Sequence, residues 1–175
     1  MSYGGVVIRV ATAADTRDLA NVQLRSALAG FAHIFPGSIP KPTQQTLEVE
    51  WTALVEGGDI SVLLAEDGGQ VLGVVAYGPD HAPRRGTDSV LLKLYVVPEQ
   101  FGNGIGTQLY DRAIRELTGA GFTRVRLWVL ERNLAARRMY ERRGWRLQPW
   151  SRSDWPGSGI LELGYSLDLD YSSAM

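Results

Sequence analysis

Residues 94–110 read LYVVPEQFGNGIGTQLY. An apolar run ends at Pro98, and three glycines at alternate positions, Gly102, Gly104 and Gly106, separate it from a segment with helical spacing. Glycine costs roughly 0.5–1 kcal/mol relative to alanine inside regular structure, so the cluster needs a backbone reason. A strand that passes through such a turn into a helix presents bare amides and the positive end of the helix dipole to an anion. Two readings stand at this point. Either the amides of Gly102, Asn103, Gly104, Ile105, Gly106 and Thr107 converge on a pyrophosphate, with the glycines clearing its approach, or the glycines serve only a tight strand-to-helix turn. The dinucleotide fingerprint G-x-G-x-x-G does not match the G-x-G-x-G spacing, and no lysine precedes Thr107 as a nucleoside-triphosphate loop requires.

Outward from this turn the chain alternates between the two hydrophobic periods. Residues 107–117 place Leu109, Tyr110, Ala113, Ile114 and Leu117 on one helical face. Upstream lie a β-branched run at 6–10, helical spacing over 13–30, a proline-rich connection FAHIFPGSIPKPT, and helical spacing again over 43–55. Runs at 60–67 and 70–78 are separated only by Gly68 and Gly69, which predicts a hairpin, and 89–97 is a third strand. Downstream, 123–131 reads as a strand, 133–143 as a helix with Asn133 at its start and Gly144 past its end, and Leu161, Leu163, Tyr165, Leu167 and Leu169 as a closing strand with one buried face. Strand–helix–strand passage over 89–131 implies a right-handed parallel crossover beside an antiparallel hairpin. The expected fold is α/β with a mixed sheet of six or seven strands and about four helices, one domain over residues 1–175.

Composition restricts the function. Eighteen basic and nineteen acidic side chains leave a net charge of −1, which argues against nucleic acid or an anionic membrane as a partner. The absence of cysteine removes disulfides, thiolate metal ligands and a cysteine nucleophile, and two distant histidines, His33 and His81, make a zinc site or histidine triad a poor fit. No metal is expected. The N-terminus MSYGGVVIRV lacks a signal-peptide pattern, and no apolar run approaches the roughly 18 residues of a membrane span, so the expected location is cytoplasmic.

Two segments together, LYVVPEQFGNGIGTQLY at 94–110 and LWVLERNLAARRMYERRGW at 127–145, resemble the GNAT superfamily of acetyl-CoA-dependent N-acetyltransferases. The first is similar to the family's pyrophosphate motif, a strand ending in V-x-P before [QR]-x-x-G-x-[GA] and a helix. The second is similar to the following strand and helix, N-x-x-A-x-x-x-Y-x-x-x-G-[FW]. The chain departs from the pattern at Phe101, where the family has Gln or Arg; Gln100 stands one residue early. Backbone amides do not depend on that side chain. The resemblance implies acetyl-CoA as co-substrate, its pyrophosphate on residues 102–107 and its pantetheine arm paired with the backbone of Leu94, Tyr95 and Val96 where two strands splay apart. It further implies that Asn133 touches the pantetheine and that Tyr140 lies near the sulfur as general acid.

Each of these residues also has a plainer reading. Asn133 is a good helix N-cap, and Tyr140 suits the half-buried face of an amphipathic helix. Arg137, Arg138, Arg142 and Arg143 make a solvated face, of which one member could reach the 3′-phosphate. The resemblance offers a glutamate five residues before Asn133, but Trp128 stands there, which leaves Glu131, Asp88, His81 or water as the base. Acceptor recognition is expected from FAHIFPGSIPKPT and QPWSRSDWPGSG, whose Trp150 and Trp155 read either as a pocket wall or as a homodimer patch. The expected activity is transfer of acetyl to a primary amine of a small molecule. A peptide N-terminus or lysine is the alternative acceptor, and a non-catalytic CoA-binding module is the alternative from another class.

Overall fold

The structure is a computed structural model, and the residues it describes are 5–30, 32–83, 86–153 and 157–169. In chain order the elements are β1 (Val7–Val10), α1 (Thr16–Gly30), α2 (Gln44–Gly57), β2 (Ser61–Asp67), β3 (Gln70–Pro79), β4 (Ser89–Val96), α3 (Ile105–Gly119), β5 (Arg124–Leu130), α4 (Leu134–Arg142), β6 (Arg146–Arg152) and β7 (Glu162–Asp168). The strands form one seven-stranded sheet in the order β1-β2-β3-β4-β5-β7-β6. Only β4 and β5 run parallel; every other neighbouring pair is antiparallel. The mixed α/β expectation therefore resolves to seven strands and four α-helices.

Local signals account for most of these elements. Thr43 accepts a hydrogen bond from the Thr46 N–H at 3.1 Å and so caps α2. On α3, Ile105, Leu109, Tyr110, Ala113 and Leu117 are buried, and Ile105, Leu109 and Leu117 are each worth about 1.5–3 kcal/mol of transfer free energy. Strand alternation then assigns the layers. Tyr77 of β3 meets Glu116 of α3 on one face, whereas Lys93, paired with Ala76, meets Gln23 of α1 and Glu50 of α2 on the other.

The closing part of the chain differs from its sequence reading. The stretch at 148–159 does not form one acceptor loop, because residues 146–152 are β6, an edge strand paired to β7. Pro149 is tolerated there because the register slips between Leu147 and Ser151, so no ladder bond is asked of it. Trp150 is buried, with its ring 6.4 Å from Trp128 in an edge-to-face arrangement. Its indole lies so close to Gly164 that a Cβ there would sit 2.5 Å from Trp150 Cε3. Trp150 is thus neither an exposed pocket wall nor a free dimer patch. Trp155 and Phe31 lie outside the described residues.

One charge cluster ties the chain start to the sheet. Arg9 donates to both Asp15 oxygens at 2.9 and 2.8 Å and to Glu66 at 2.9 Å. The Arg9 guanidinium, with help from the Thr12 N–H and against the cost of burial, holds the Asp15 carboxyl at about 2 instead of 3.8. A depressed native pKa stabilises the fold above the unfolded value and is lost as pH falls through the native one. Melting temperature is therefore expected to fall between pH values of about 4 and 2 more steeply than in Asp15→Asn, which lacks the titrating group. Parallel pH–melting curves for the two proteins would refute this linkage.

Candidate functional site

The parallel pair β4–β5 is registered only at Ser89↔Val125 and Val90↔Arg126. Asp88 clamps this closed end. It accepts hydrogen bonds from the Thr123 N–H at 2.8 Å, the Thr123 hydroxyl at 2.7 Å and the Arg124 N–H at 3.0 Å. Burial pushes its carboxyl up, but these donors outweigh burial and hold it below the ordinary range. Past Val90 the strands part. The opening faces a cavity of about 310 Å³ bounded by Leu91–Tyr95 of β4 and Leu127–Leu130 of β5. Its far walls are Gln23, Leu24, Ala27 and Leu28 of α1, the segment 32–42, and Asn133, Ala136 and Tyr140 of α4, with Glu162 also lining it.

Four sequence candidates meet along this cavity: Leu94, Tyr95, Asn133 and Tyr140. Asn133 Oδ1 accepts from the Ala136 N–H at 3.2 Å, so it caps α4 while also lining the cavity. Tyr140 is 9% exposed, and its ring is held edge-to-face by Trp145 at 5.6 Å. Trp145 is itself fixed by donating its indole N–H to the Tyr110 hydroxyl at 2.8 Å. The Tyr140 hydroxyl has no hydrogen-bond partner among the described residues. Burial above all, then the neighbouring Tyr110 and Tyr95 phenols, drive its pKa well above the ordinary value, with Arg143 opposing weakly. Tyr95 is pushed up to about 12, by burial first and then by Glu162 and Glu50. Both phenols therefore keep their protons at neutral pH.

At the C-terminal end of β4 the chain enters the glycine turn. Gly102 and Gly104 have φ of 81° and 83°, a left-handed conformation that disfavours any Cβ although the space beside them is open. The conformation and not crowding within the chain demands these two glycines. The α3 ladder opens with the Gln108 N–H donating to Gly104, so the amides of Ile105, Gly106 and Thr107 precede it. The Asn103 amide is different, because it donates to the Gln100 carbonyl at 3.2 Å. That leaves the amides of Gly102, Gly104, Ile105, Gly106 and Thr107 without an internal acceptor among the described residues. Arg143 reaches this first turn and donates to the Thr107 hydroxyl at 2.8 Å. Phe101 is half exposed, whereas Gln100 spends its side chain on Asn103 at 3.0 Å.

The arginines of α4 now separate. Arg137 is used internally, donating to the Tyr165 hydroxyl at 3.0 Å and the Glu131 carbonyl at 2.9 Å. Arg143 is the one beside the bare amides. Glu131 does not line the cavity: it stands one residue past the end of β5, where its N–H donates to the Leu161 carbonyl at 2.8 Å. Asp88 is consumed as the clamp, and His81 sits at the exposed surface 3.5 Å from Asp59. Among the described residues the carboxylate that lines the cavity is Glu162, which sequence reading missed. Its only signal was a lone acid amid an apolar alternation. Trp128, at the position the expected glutamate would take, is a wall of the cavity with Arg152 over its ring at 4.8 Å. Among the described residues no cluster of three or more His, Cys, Asp or Glu could hold a metal, and no helix is long and apolar enough to cross a membrane.

Comparison with known proteins agrees with this geometry. The chain is 31% identical over 125 residues to "Probable N-acetyltransferase Rv2775" of Mycobacterium tuberculosis, covering 69% of this chain and 68% of that protein. The PaiA N-acetyltransferase of Thermoplasma acidophilum, solved in complex with coenzyme A, superposes with a TM-score of 0.71 at 21% identity over 94% of this chain and 99% of that one. The ribosomal-protein-S18-alanine N-acetyltransferase of Escherichia coli gives a TM-score of 0.70 at 17% identity, covering 95% of each chain. The model of the Acetyltransferase (GNAT) family matches residues 25–145. A seven-stranded mixed sheet, a parted parallel pair and a family match over most of the length lead to one conclusion: the chain belongs to the GNAT acetyltransferase family and is an acyltransferase.

Proposed function

We propose that the protein transfers acetyl from acetyl-CoA to the primary amine of a small molecule, with residues 1–175 acting as one N-acetyltransferase domain. The observation that carries the reading is the parting of β4 and β5 with Tyr140 at the gap and a row of unpartnered amides at the start of α3. Those amides suit a pyrophosphate, since an anion there gains both donors and the helix dipole, and Arg143 adds a cation. The free edge of β4 at Leu94, Tyr95 and Val96 suits the amide-bearing pantetheine arm, which would pair as an added strand. Acetyl-CoA supplies the acetyl thioester. The acceptor nitrogen forms its bond to the carbonyl carbon as the carbon–sulfur bond breaks, with no acyl-enzyme. Tyr140 Oη gives its proton to the departing sulfur and regains one from solvent, while the nitrogen, entering as an ammonium, sheds two protons to water.

A peptide N-terminus is the alternative acceptor, favoured by the likeness to the ribosomal-protein-S18-alanine enzyme. Against it, the segment 32–42 packs Ile34, Phe35 and Ile39 onto Leu130 and Ile160 and roofs the cavity. The same reading places the enzyme in the cytoplasm, without nucleic acid, membrane or metal, as a homodimer that a solution mass of about twice 19.2 kDa would verify. Titration calorimetry with acetyl-CoA tests the cofactor assignment. Binding at micromolar concentrations is expected, and Gly104→Val, which forces a branched side chain into φ 83°, should weaken it about tenfold or more. No heat at high micromolar ligand would remove the assignment. Release of free CoA thiol with amines separates an enzyme from a CoA-binding module.

A further inference from the structure

The acceptor side of the cavity has a composition that selects among amines. Its walls are apolar: Leu24, Ala27 and Leu28 from α1, Phe35 and Ile39 from the roof, and Trp128 from β5. Among the described lining residues one carboxylate occurs, Glu162, whose side chain is only 14% exposed. Pairing places Glu162 beside Leu130 of β5 and Arg152 of β6, on the sheet face that carries Trp128. Glu162 Oε2 accepts from Arg152 Nε at 2.6 Å, which orients the carboxyl. Tyr95 and Glu162 both line the cavity, and the Tyr95 phenol feels the charges of Glu162 and Glu50.

Among the described lining residues the other charges are both positive. Lys41 lies on the roof, and Lys93 lies on β4, where it contacts Gln23 at 3.3 Å, Glu50 at 3.2 Å and the Trp51 ring at 5.2 Å. A polyamine entering this space would meet one lining carboxylate, Glu162, and the cation Lys41, while Glu50 behind the wall is already paired with Lys93. Its second ammonium would lie unpaired against apolar walls, a costly placement. A monoamine with an apolar or aromatic body satisfies every group: ammonium on Glu162, body on Trp128, Phe35 and the α1 leucines.

Resting on the acetyl-transfer reading, we propose that Glu162 is the acceptor-binding residue and that the enzyme acts on small hydrophobic monoamines. The native enzyme with acetyl-CoA is assayed for CoA thiol release against 2-phenylethylamine, spermidine and an alanine-led hexapeptide. The expected kcat/KM for phenylethylamine exceeds the other two by about tenfold or more, and Glu162→Gln raises the phenylethylamine KM about tenfold with a smaller change in kcat. The variant's acetyl-CoA affinity and melting temperature, read alongside, keep a folding defect apart from a binding defect. Preference for spermidine or the peptide, no acetylation of phenylethylamine by a protein that binds acetyl-CoA, or a KM in a folded Glu162→Gln that stays within twofold, each overturns the proposal. Failure to bind acetyl-CoA at all instead overturns the acetyl-transfer reading beneath it.

Discussion

Tyr140→Phe is expected to lower kcat about 100-fold while leaving the acetyl-CoA dissociation constant within about twofold, the range a single general acid commands. The change removes one oxygen and keeps the ring, so the edge-to-face contact with Trp145 and the cover over the core survive. The hydroxyl has no hydrogen-bond partner among the described residues, so its removal strands no buried group. Lost turnover with retained affinity therefore reads as lost proton delivery. The pH profile supplies a second readout. Burial and the neighbouring phenols raise this pKa, so the acid form persists and the native kcat should show no alkaline loss from Tyr140 below a pH of about 10. An unchanged kcat in the phenylalanine variant would remove Tyr140 from the chemistry.

The largest loss of stability is expected from Asp80→Ala. The Asp80 side chain is fully buried and that of Arg126 is 10% exposed. Arg126 Nη2 donates to Asp80 Oδ1 at 2.6 Å and its Nε donates to Oδ2, where the Thr87 hydroxyl also donates at 3.0 Å; the Ala82 N–H donates to Oδ1 at 2.9 Å. Burial alone would raise the Asp80 carboxyl, and the Arg126 guanidinium with the other donors reverses this and keeps it ionised. Truncation leaves a guanidinium in the interior without its counter-charge, at a cost of about 3–5 kcal/mol. For a chain of this length the melting temperature should fall by about 6–20 °C. The double variant Asp80→Ala/Arg126→Leu should recover most of that, because the cost lies in the orphaned charge and not in the lost pair. A double variant no more stable than Asp80→Ala would contradict the account.

The candidate site was partly legible in the chain, and the division follows physical range. The GNAT resemblance of two short segments implies Tyr140, Asn133, Leu94 and Tyr95, and each lines the cavity because one strand and one helix carry them in fixed register. Glu131 was named by the same local logic, but the ladder bond of its N–H to Leu161 belongs to a partner thirty residues away, and it stands clear of the cavity. Glu162 had no local mark. Its role arises because β7 inserts between β5 and β6, which sets it beside Leu130 and Arg152.

By itself the sequence determined the order of strands and helices as far as α4, the hairpin at Gly68 and Gly69, the cap at Asn133 and the glycine turn before α3, since each depends on side-chain period or backbone angles within a few residues. Only the tertiary structure decided that residues 146–152 form an edge strand, that Trp150 turns inward over Gly164, that Asp88 locks one end of β4 and β5 while the other end parts, and that Glu162 is the acid in the cavity. Those outcomes rest on pairing and burial between segments far apart in the chain, where a residue's chemistry is set by what the sheet brings beside it.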